Sequence, residues 1–158
     1  MMKINFDRTV ELLKNSEDVL ILTHANPDGD TLGGGYALML ALRQLKKRVK
    51  LVNNDGIPEM YAFLADGCEN DEFSEKFIIS VDIADTKLLG KETEEKYADK
   101  IDLAIDHHST NRLYAKESYA GKTAFLIGNE GNGMSMEFME ACDVNIKIPM
   151  KGNIESLN

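Results

Sequence analysis

Short apolar runs alternate with helix-forming segments along the first two-thirds of the chain. Four runs predict buried strands, at residues 19–23, 49–52, 77–81 and 101–105. The segments around them predict helices at residues 6–15, 36–45, 59–64 and 92–100. Asp7 is the expected cap of the first helix. Strands alternating with helices predict an α/β, Rossmann-like fold, with a doubly wound, mainly parallel sheet and helices on both faces.

The pattern changes near Tyr119. Beyond it, the sequence predicts a strand at residues 123–127, a Gly-rich turn at 128–133, a helix at 134–142 and a strand at 144–148. These C-terminal strands and this helix are expected to extend the same sheet and to cover its apolar edge. We therefore expect two segments, residues 1–118 and 119–158, packed into one domain.

Acidic residues and histidines follow three of the predicted strands. The candidate metal ligands are His24, Asp28, Asp30, Asp82 and His107. The carboxyl ends of parallel strands lie at one edge of a sheet, so these side chains are expected to converge. Carboxylates ~4 Å apart repel by roughly 4 kcal/mol at an effective dielectric near 20, so a cation is expected among them. Any one of these residues alone is more typical of a turn or a cap, but the set favours a site.

Imidazoles mixed with carboxylates suit a borderline-hard divalent ion. We expect two Mn²⁺ ions, with Mg²⁺ or Co²⁺ as alternatives, because a site with so many acids can hold a pair. A pair of ions can bind a phosphoryl group and lower the pKa of a water molecule that attacks phosphorus. The residues thus point towards metal-dependent hydrolysis of a phosphoester.

Three motifs, in order and each after an apolar strand, resemble motifs one to three of the DHH phosphoesterase superfamily: His24-x-x-x-Asp28-x-Asp30, Val81-Asp82 and Asp106-His107-His108. The resemblance covers about residues 1–118. It implies that His24, Asp28 and Asp82 hold one ion. It implies that Asp30, Asp82 and His107 hold the other, with Asp82 as the bridge.

The same resemblance implies catalytic roles for Asp82, Asp106, His107 and His108. His108 would contact the substrate phosphate, and Asp106 would orient the neighbouring imidazole. The fourth motif of that superfamily, with its further Asp, is missing, and so is the C-terminal substrate-binding domain. We therefore expect hydrolysis to be impaired.

Two later motifs resemble the last two motifs of the SpoU family of RNA ribose methyltransferases: Phe125-Leu126-Ile127-Gly128-Asn129-Glu130-Gly131-Asn132-Gly133 and Ile148-Pro149-Met150. This resemblance covers about residues 119–158. It implies an S-adenosylmethionine pocket that would include Ile127, Gly128 and Ile148. The family's first motif is missing, so we expect no S-adenosylmethionine cofactor and regard the chain as a chimera. The structural alternative is a plain Gly-rich turn followed by a Pro loop.

Composition and charge restrict the classes of partner that the chain is expected to bind. The chain has 158 residues, of which 43% are hydrophobic, and a formal net charge of -9. This acidity argues against binding to long nucleic acids, so we expect a small phosphorylated nucleotide or a short oligonucleotide. The sequence has no membrane-length apolar run, no export signal and only two cysteines, so a cytoplasmic protein is expected. The oligomeric state stays open.

Three functions follow from these observations. The leading hypothesis is hydrolysis of phosphoesters in small nucleotides or short oligonucleotides at a dinuclear metal site. The first alternative is a chimeric fold or metal-binding protein without catalytic activity. The second alternative is a fragment of an S-adenosylmethionine-binding RNA methyltransferase.

Overall fold

The computed structural model describes residues 2–120 and 136–141. The strands are β1 Met2–Lys3, β2 Val19–Leu22, β3 Val49–Val52, β4 Phe77–Val81, β5 Leu103–Asp106 and β6 Glu117–Ala120. The α-helices are α1 Phe6–Asn15, α2 Gly29–Gln44, α3 Lys91–Tyr97 and α4 Met136–Ala141, and two 3₁₀ helices span Glu59–Ala65 and Thr86–Leu89.

The six strands form one parallel sheet in the order β1-β6-β5-β4-β2-β3. The predicted α/β class with a parallel sheet is therefore confirmed. The sequence did not predict the edge pair β1 and β6. β1 has only two residues, which is too short for a recognisable apolar pattern.

The central strands are buried on both faces, because successive side chains of a strand point to opposite sides of the sheet. On one face, Ile21 and Ile79 pack with Met39 of α2. On the other face, Leu20 and Ile78 pack in a second cluster that includes Tyr97 of α3. Continuous burial explains why these strands read as unbroken apolar runs.

Helix α2 begins at Gly29, seven residues before the predicted start at residue 36. Three consecutive glycines disfavour a helix on propensity alone, but packing on the sheet overrides this preference. A Cβ at Gly35 would lie 2.8 Å from Leu51 Cδ1 and 3.0 Å from Thr23 Cγ2. Glycine therefore lets α2 approach the sheet closely, and so places the first turn of the helix beside the ends of the strands.

The cap predicted for α1 was wrong by two residues. Asn5 is the N-cap, and its side chain accepts a hydrogen bond from the backbone N–H of Arg8 at 3.0 Å. Asp7 lies inside the first turn, where its negative charge suits the positive end of the helix dipole.

The chain divides into two compact units, Met1–Lys122 and Thr123–Asn158. In the second unit, the described part is α4, which lies within the helix predicted at residues 134–142. The elements predicted at residues 123–127, 128–133 and 144–148 lie outside the described residues. The packing of both segments into one domain stays a prediction. In the described parts of the chain, no helix combines the length and the apolar character that a membrane crossing requires.

Candidate functional site

The loops after β2, β4 and β5 lie side by side at the carboxyl edge of the sheet, because these strands are neighbours in the order β5-β4-β2. The loop after β2 carries His24 and Asp28, and β4 is followed directly by Asp82. His107 and His108 follow β5. The topology therefore brings together side chains that are more than eighty residues apart in the sequence.

A first group of donors consists of His24, Asp28 and Asp82. Nε2 of His24 lies 3.7 Å from Asp28 Oδ1 and 3.8 Å from Asp82 Oδ2. Nδ1 of His24 lies 2.8 Å from the backbone oxygen of Ala25 and donates to it, because a carbonyl oxygen can only accept. In the neutral imidazole, Nε2 is then an unprotonated nitrogen that faces two carboxylates. A cation fits this arrangement of lone pairs.

A second group of donors consists of Asp82, His107 and His108. Asp82 Oδ1 lies 3.3 Å from His107 Nε2 and 3.5 Å from His108 Nδ1. In each of the two groups, one donor atom per residue lies within 4.8 Å of the others. Asp82 belongs to both groups. Asp30 approaches from the exposed side, with its Oδ2 3.4 Å from His107 Nε2.

Asp82 is the most constrained residue of the site. Its side chain is 9% exposed, and its Oδ1 is buried without a hydrogen-bond partner in the described structure. Burial raises the pKa of this carboxyl above its ordinary value, and the charge of Asp30 raises it further. Its φ of +59° lies in the left-handed region, which Asp tolerates better than most residues. A buried, unpartnered carboxylate oxygen is costly, and a bound cation would compensate that cost.

Asp28 has two roles in the structure. Its Oδ1 accepts hydrogen bonds from the backbone N–H groups of Asp30 and Thr31, so it caps α2. These bonds, above all the one from Thr31, lower the pKa of Asp28 and keep it ionised. The cap therefore also fixes a negatively charged oxygen beside His24.

Sequence reasoning missed two residues that hold the loop after β2. Thr31 Oγ1 donates to the backbone oxygen of Val81 at 3.1 Å and so joins α2 to the end of β4. Asn53 Nδ2 donates to the backbone oxygen of His24 and to Thr23 Oγ1, at 2.6 and 2.9 Å. Their partners lie 29 to 50 residues away in the sequence, so no local pattern could reveal them.

Asp106 does not face the donor groups directly. Its side chain is fully buried, and its Oδ1 lies 2.6 Å from His108 Nδ1. This hydrogen bond is the main reason why the pKa of His108 is raised. The expectation that Asp106 orients a neighbouring imidazole agrees with this contact, although its catalytic role stays a prediction.

The five predicted metal ligands thus lie at one edge, with one difference in grouping. The expected second set contained Asp30, whereas the structure groups His108 with Asp82 and His107. Asp30 sits at an exposed position in the first turn of α2 and reaches only His107 among these side chains. The residues expected at an S-adenosylmethionine pocket, Ile127, Gly128 and Ile148, lie outside the described part of the chain.

Among solved structures, the chain is similar to an exopolyphosphatase-related protein from Bacteroides fragilis. The similarity has a TM-score of 0.63 at 17% sequence identity, and it covers 73% of this chain and 38% of that protein. Identity at this level shows the fold alone. It supports the α/β architecture of the described residues.

Among curated proteins, the chain is similar to RNA methyltransferases. It is 39% identical over 54 residues to the 23S rRNA (guanosine-2'-O-)-methyltransferase RlmB of Xylella fastidiosa, covering 34% of this chain and 21% of that protein. It is 54% identical over 35 residues to a putative TrmH family tRNA/rRNA methyltransferase of Staphylococcus aureus, covering 22% of this chain and 14% of that protein. The chain thus spans about a fifth or less of the length of these relatives.

These comparisons correct the cofactor expectation. The relatives are methyltransferases of the kind that use S-adenosylmethionine, so the expectation that this cofactor is absent was wrong, and no comparison supports Mn²⁺. They also weaken the argument against an RNA partner that was based on charge. Whether the chain is a chimera is not tested by these matches and stays a prediction.

The family match extends further than the resemblance seen in the sequence. The profile of the SpoU rRNA Methylase family matches residues 74–158, and so begins before β4 and not near residue 119. The matched range is more than half of the 158 residues. The chain therefore belongs to the SpoU rRNA methylase family.

Proposed function

We propose that the carboxyl edge of the sheet binds a divalent cation and hydrolyses a phosphoester bond in a small nucleotide or a short oligonucleotide. The observation that carries this proposal is Asp82, a buried carboxylate with an unpartnered oxygen that is shared by two groups of donors. The similar solved structure contributes only the fold to this argument.

The positions of the side chains suggest a separate role for cation binding and for substrate binding. His24, Asp28 and Asp82 would hold the cation on one side, and His107 and Asp82 on the other. A divalent cation in such a site supplies positive charge for the phosphoryl oxygens and makes a water molecule more acidic. His108 donates from Nδ1 to Asp106, and this hydrogen bond raises the pKa of His108. The protonated imidazole of this half-exposed side chain would then donate from Nε2 to a substrate phosphate.

The test compares two variants that each lose one carboxylate. Asp82→Asn and Asp7→Asn, a control in the first turn of α1, are assayed against p-nitrophenyl phosphate esters and dinucleotides with a panel of divalent cations. We expect Asp82→Asn to lose hydrolysis and cation binding, and Asp7→Asn to retain both. Cation binding without hydrolysis of any substrate would favour the non-catalytic alternative. Full activity of Asp82→Asn would contradict the proposal.

We propose as a second function that the C-terminal segment binds S-adenosylmethionine and takes part in methylation of RNA. The comparisons support this function more directly than they support hydrolysis, because the family profile and both relatives are of RNA methyltransferases. The chain covers only a small part of the length of those relatives. Methyl transfer by this chain is therefore less well supported than binding of the cofactor. Ile127, Gly128 and Ile148 are the pocket candidates from the sequence.

Calorimetric titration of the full chain with S-adenosylmethionine tests this second function. Gly128→Val, which adds a side chain at a residue that the resemblance places in the pocket, should weaken binding at least about tenfold. Gly33→Ala is the control, because a Cβ at that position meets no atom within 4 Å. If the titration of the unmodified chain shows no heat of binding and no saturation, the methyltransferase proposal is refuted.

A further inference from the structure

Asn111 joins the loop after β5 to the end of β4. Its Nδ2 donates to the Asp106 Oδ2 at 2.7 Å and to the backbone oxygen of Ile83 at 3.2 Å. Its Oδ1 accepts from the backbone N–H of Leu113 at 2.8 Å. The side chain therefore connects a buried carboxylate of one strand with the backbone beyond the neighbouring strand.

The orientation of this amide follows from its partners. The N–H of Leu113 can only donate, so the amide oxygen must face it. The carbonyl oxygen of Ile83 can only accept, so the amide nitrogen must face it, and the same nitrogen also donates to Asp106 Oδ2. All three contacts are satisfied by one orientation of Asn111, which holds Asp106 Oδ2 and so favours the position of Asp106 that faces His108.

Two carboxylates compete for the proton on His108 Nδ1. Asp106 Oδ1 is 2.6 Å away and Asp82 Oδ1 is 3.5 Å away. If Asp106 turned aside, the N–H of His108 Nδ1 could donate instead to Asp82 Oδ1, the buried oxygen that also faces His107. Keeping Asp106 in place therefore keeps Asp82 available for a cation.

We infer that Asn111 is a positioning residue for this site. By holding Asp106, it fixes His108 as the tautomer with its proton on Nδ1 and keeps Asp82 Oδ1 free. This inference rests on the proposed hydrolase function for its consequence, but the effect on the tautomer does not require any cation or substrate.

Long-range ¹H–¹⁵N NMR spectra of the full chain report which nitrogen of a neutral imidazole carries the proton. In the unmodified protein, we expect the Nδ1–H form of His108 to exceed the other tautomer by about tenfold or more, because its Nδ1 lies 2.6 Å from Asp106 Oδ1. In Asn111→Ala, the excess of the Nδ1–H form should fall, because the 3.5 Å contact with Asp82 Oδ1 is a poorer hydrogen bond than the 2.6 Å contact with Asp106 Oδ1. Asn111→Asp keeps the acceptor for Leu113 but replaces the donor with a carboxylate oxygen that repels Asp106, so it should show the same direction of change if the alanine variant does not fold.

Tyr114→Phe is the matched control. The Tyr114 hydroxyl donates to the same Ile83 oxygen, at 2.8 Å, whereas the amide of Asn111 donates to both Ile83 and Asp106. We expect this variant to leave the tautomer of His108 unchanged. An equal change in Tyr114→Phe, or an unchanged tautomer in both Asn111 variants, would overturn the inference.

A second measurement separates this inference from the proposed function. Divalent-cation titrations should show an affinity at least about tenfold weaker in Asn111→Ala than in Tyr114→Phe. If no variant and no unmodified protein binds a cation, the hydrolase proposal fails while the tautomer result still decides the role of Asn111.

Discussion

Replacement of Asp82 by Asn is expected to stabilise the protein when no divalent cation is present. Asp82 is buried, its Oδ1 is unpartnered, and burial raises its pKa, so the ionised form is costly in the folded state. Asn has nearly the same shape, and it adopts a φ near the observed +59° as readily as Asp does. The substitution therefore removes a charge with little change in packing or backbone strain.

The size of the gain follows from the geometry around His107. Asp30 Oδ2 and Asp82 Oδ1 lie 3.4 and 3.3 Å from His107 Nε2. The two oxygens are therefore no more than about 7 Å apart, and at an effective dielectric near 20 their charges repel by about 2 kcal/mol. Asp30 is largely exposed, so screening reduces this to about 1 kcal/mol. A gain of about 1 kcal/mol raises the Tm by about 3 °C in a chain of this size.

Thermal unfolding near pH 8, where most histidines are neutral, measures this difference in the presence of a chelator. Asp18→Asn is the matched control, because Asp18 is also buried and also has a positive φ, of +50°. Its carboxylate pairs with Lys76 at 2.9 Å and Arg48 at 2.6 Å, and the hydrogen bond from Lys76 lowers its pKa. The same substitution should therefore lower the Tm at position 18 and raise it at position 82.

Addition of a divalent cation should reverse the order of the unmodified protein and Asp82→Asn. At a cation concentration one hundred times the Kd, the unmodified protein gains about 2.7 kcal/mol, whereas a variant that does not bind gains nothing. A lower Tm of Asp82→Asn under chelating conditions would refute the electrostatic reasoning. An equal shift of both proteins on addition of the cation would refute the assignment of Asp82 as a shared ligand.

Two further predictions concern stability away from the site. Gly33→Ala and Gly35→Ala gain the same helix propensity in α2, but only a Cβ at residue 35 would crowd Leu51 Cδ1, at 2.8 Å. Urea unfolding should therefore show that Gly35→Ala is less stable than Gly33→Ala by about 1–3 kcal/mol. Equal stability of the two variants would contradict the close packing of α2 on the sheet. Lys50 donates to Glu75 at 2.7 Å and lowers the pKa of Glu75 from 4.5 to about 2, so this pair stabilises the fold fully above pH 4.5 and loses its effect as the pH falls towards 2. Lys50→Met should therefore lower the free energy of unfolding by about 1–2 kcal/mol at pH 7 and by progressively less in acid. A difference in Tm from the unmodified protein that does not shrink between pH 5 and pH 3 would contradict this role of the Lys50–Glu75 pair.

The sequence predicts well those strands whose apolar run ends at a polar residue. Strands β3 and β4 were predicted with their observed bounds. β4 is a central strand with four of its five residues buried, whereas β3 is an edge strand in which buried Val49 and Leu51 alternate with partly buried residues. The start of α2 was missed because Gly35 is required by close contact with β2 and β3, a tertiary effect that outweighs local propensity.

The same division applies to the candidate site. The residues that carry charge could be found from the sequence, because Asp and His at the ends of parallel strands must meet at one edge. The neutral residues that hold them could not. Thr31, Asn53 and Asn111 act through backbone oxygens of distant segments, and such partners are fixed only by the fold.

The family match and the donor groups share part of the chain, and experiments can separate the two proposed functions. The matched range, residues 74–158, contains β4, β5 and three of the clustered side chains, Asp82, His107 and His108. Binding of S-adenosylmethionine at a C-terminal pocket needs none of these ionisable groups, whereas the proposed cation site needs Asp82 and His107.

Asp82→Asn should therefore abolish cation binding and leave the affinity for S-adenosylmethionine within about twofold of the unmodified chain. Gly128→Val should do the reverse. Loss of both ligands in either variant, with the fold retained by circular dichroism, would mean that the two proposals describe one site. If the unmodified chain binds S-adenosylmethionine but no cation, the result would favour the methyltransferase function of its family. The acidic residues at the carboxyl edge would then have only a structural role in the sheet.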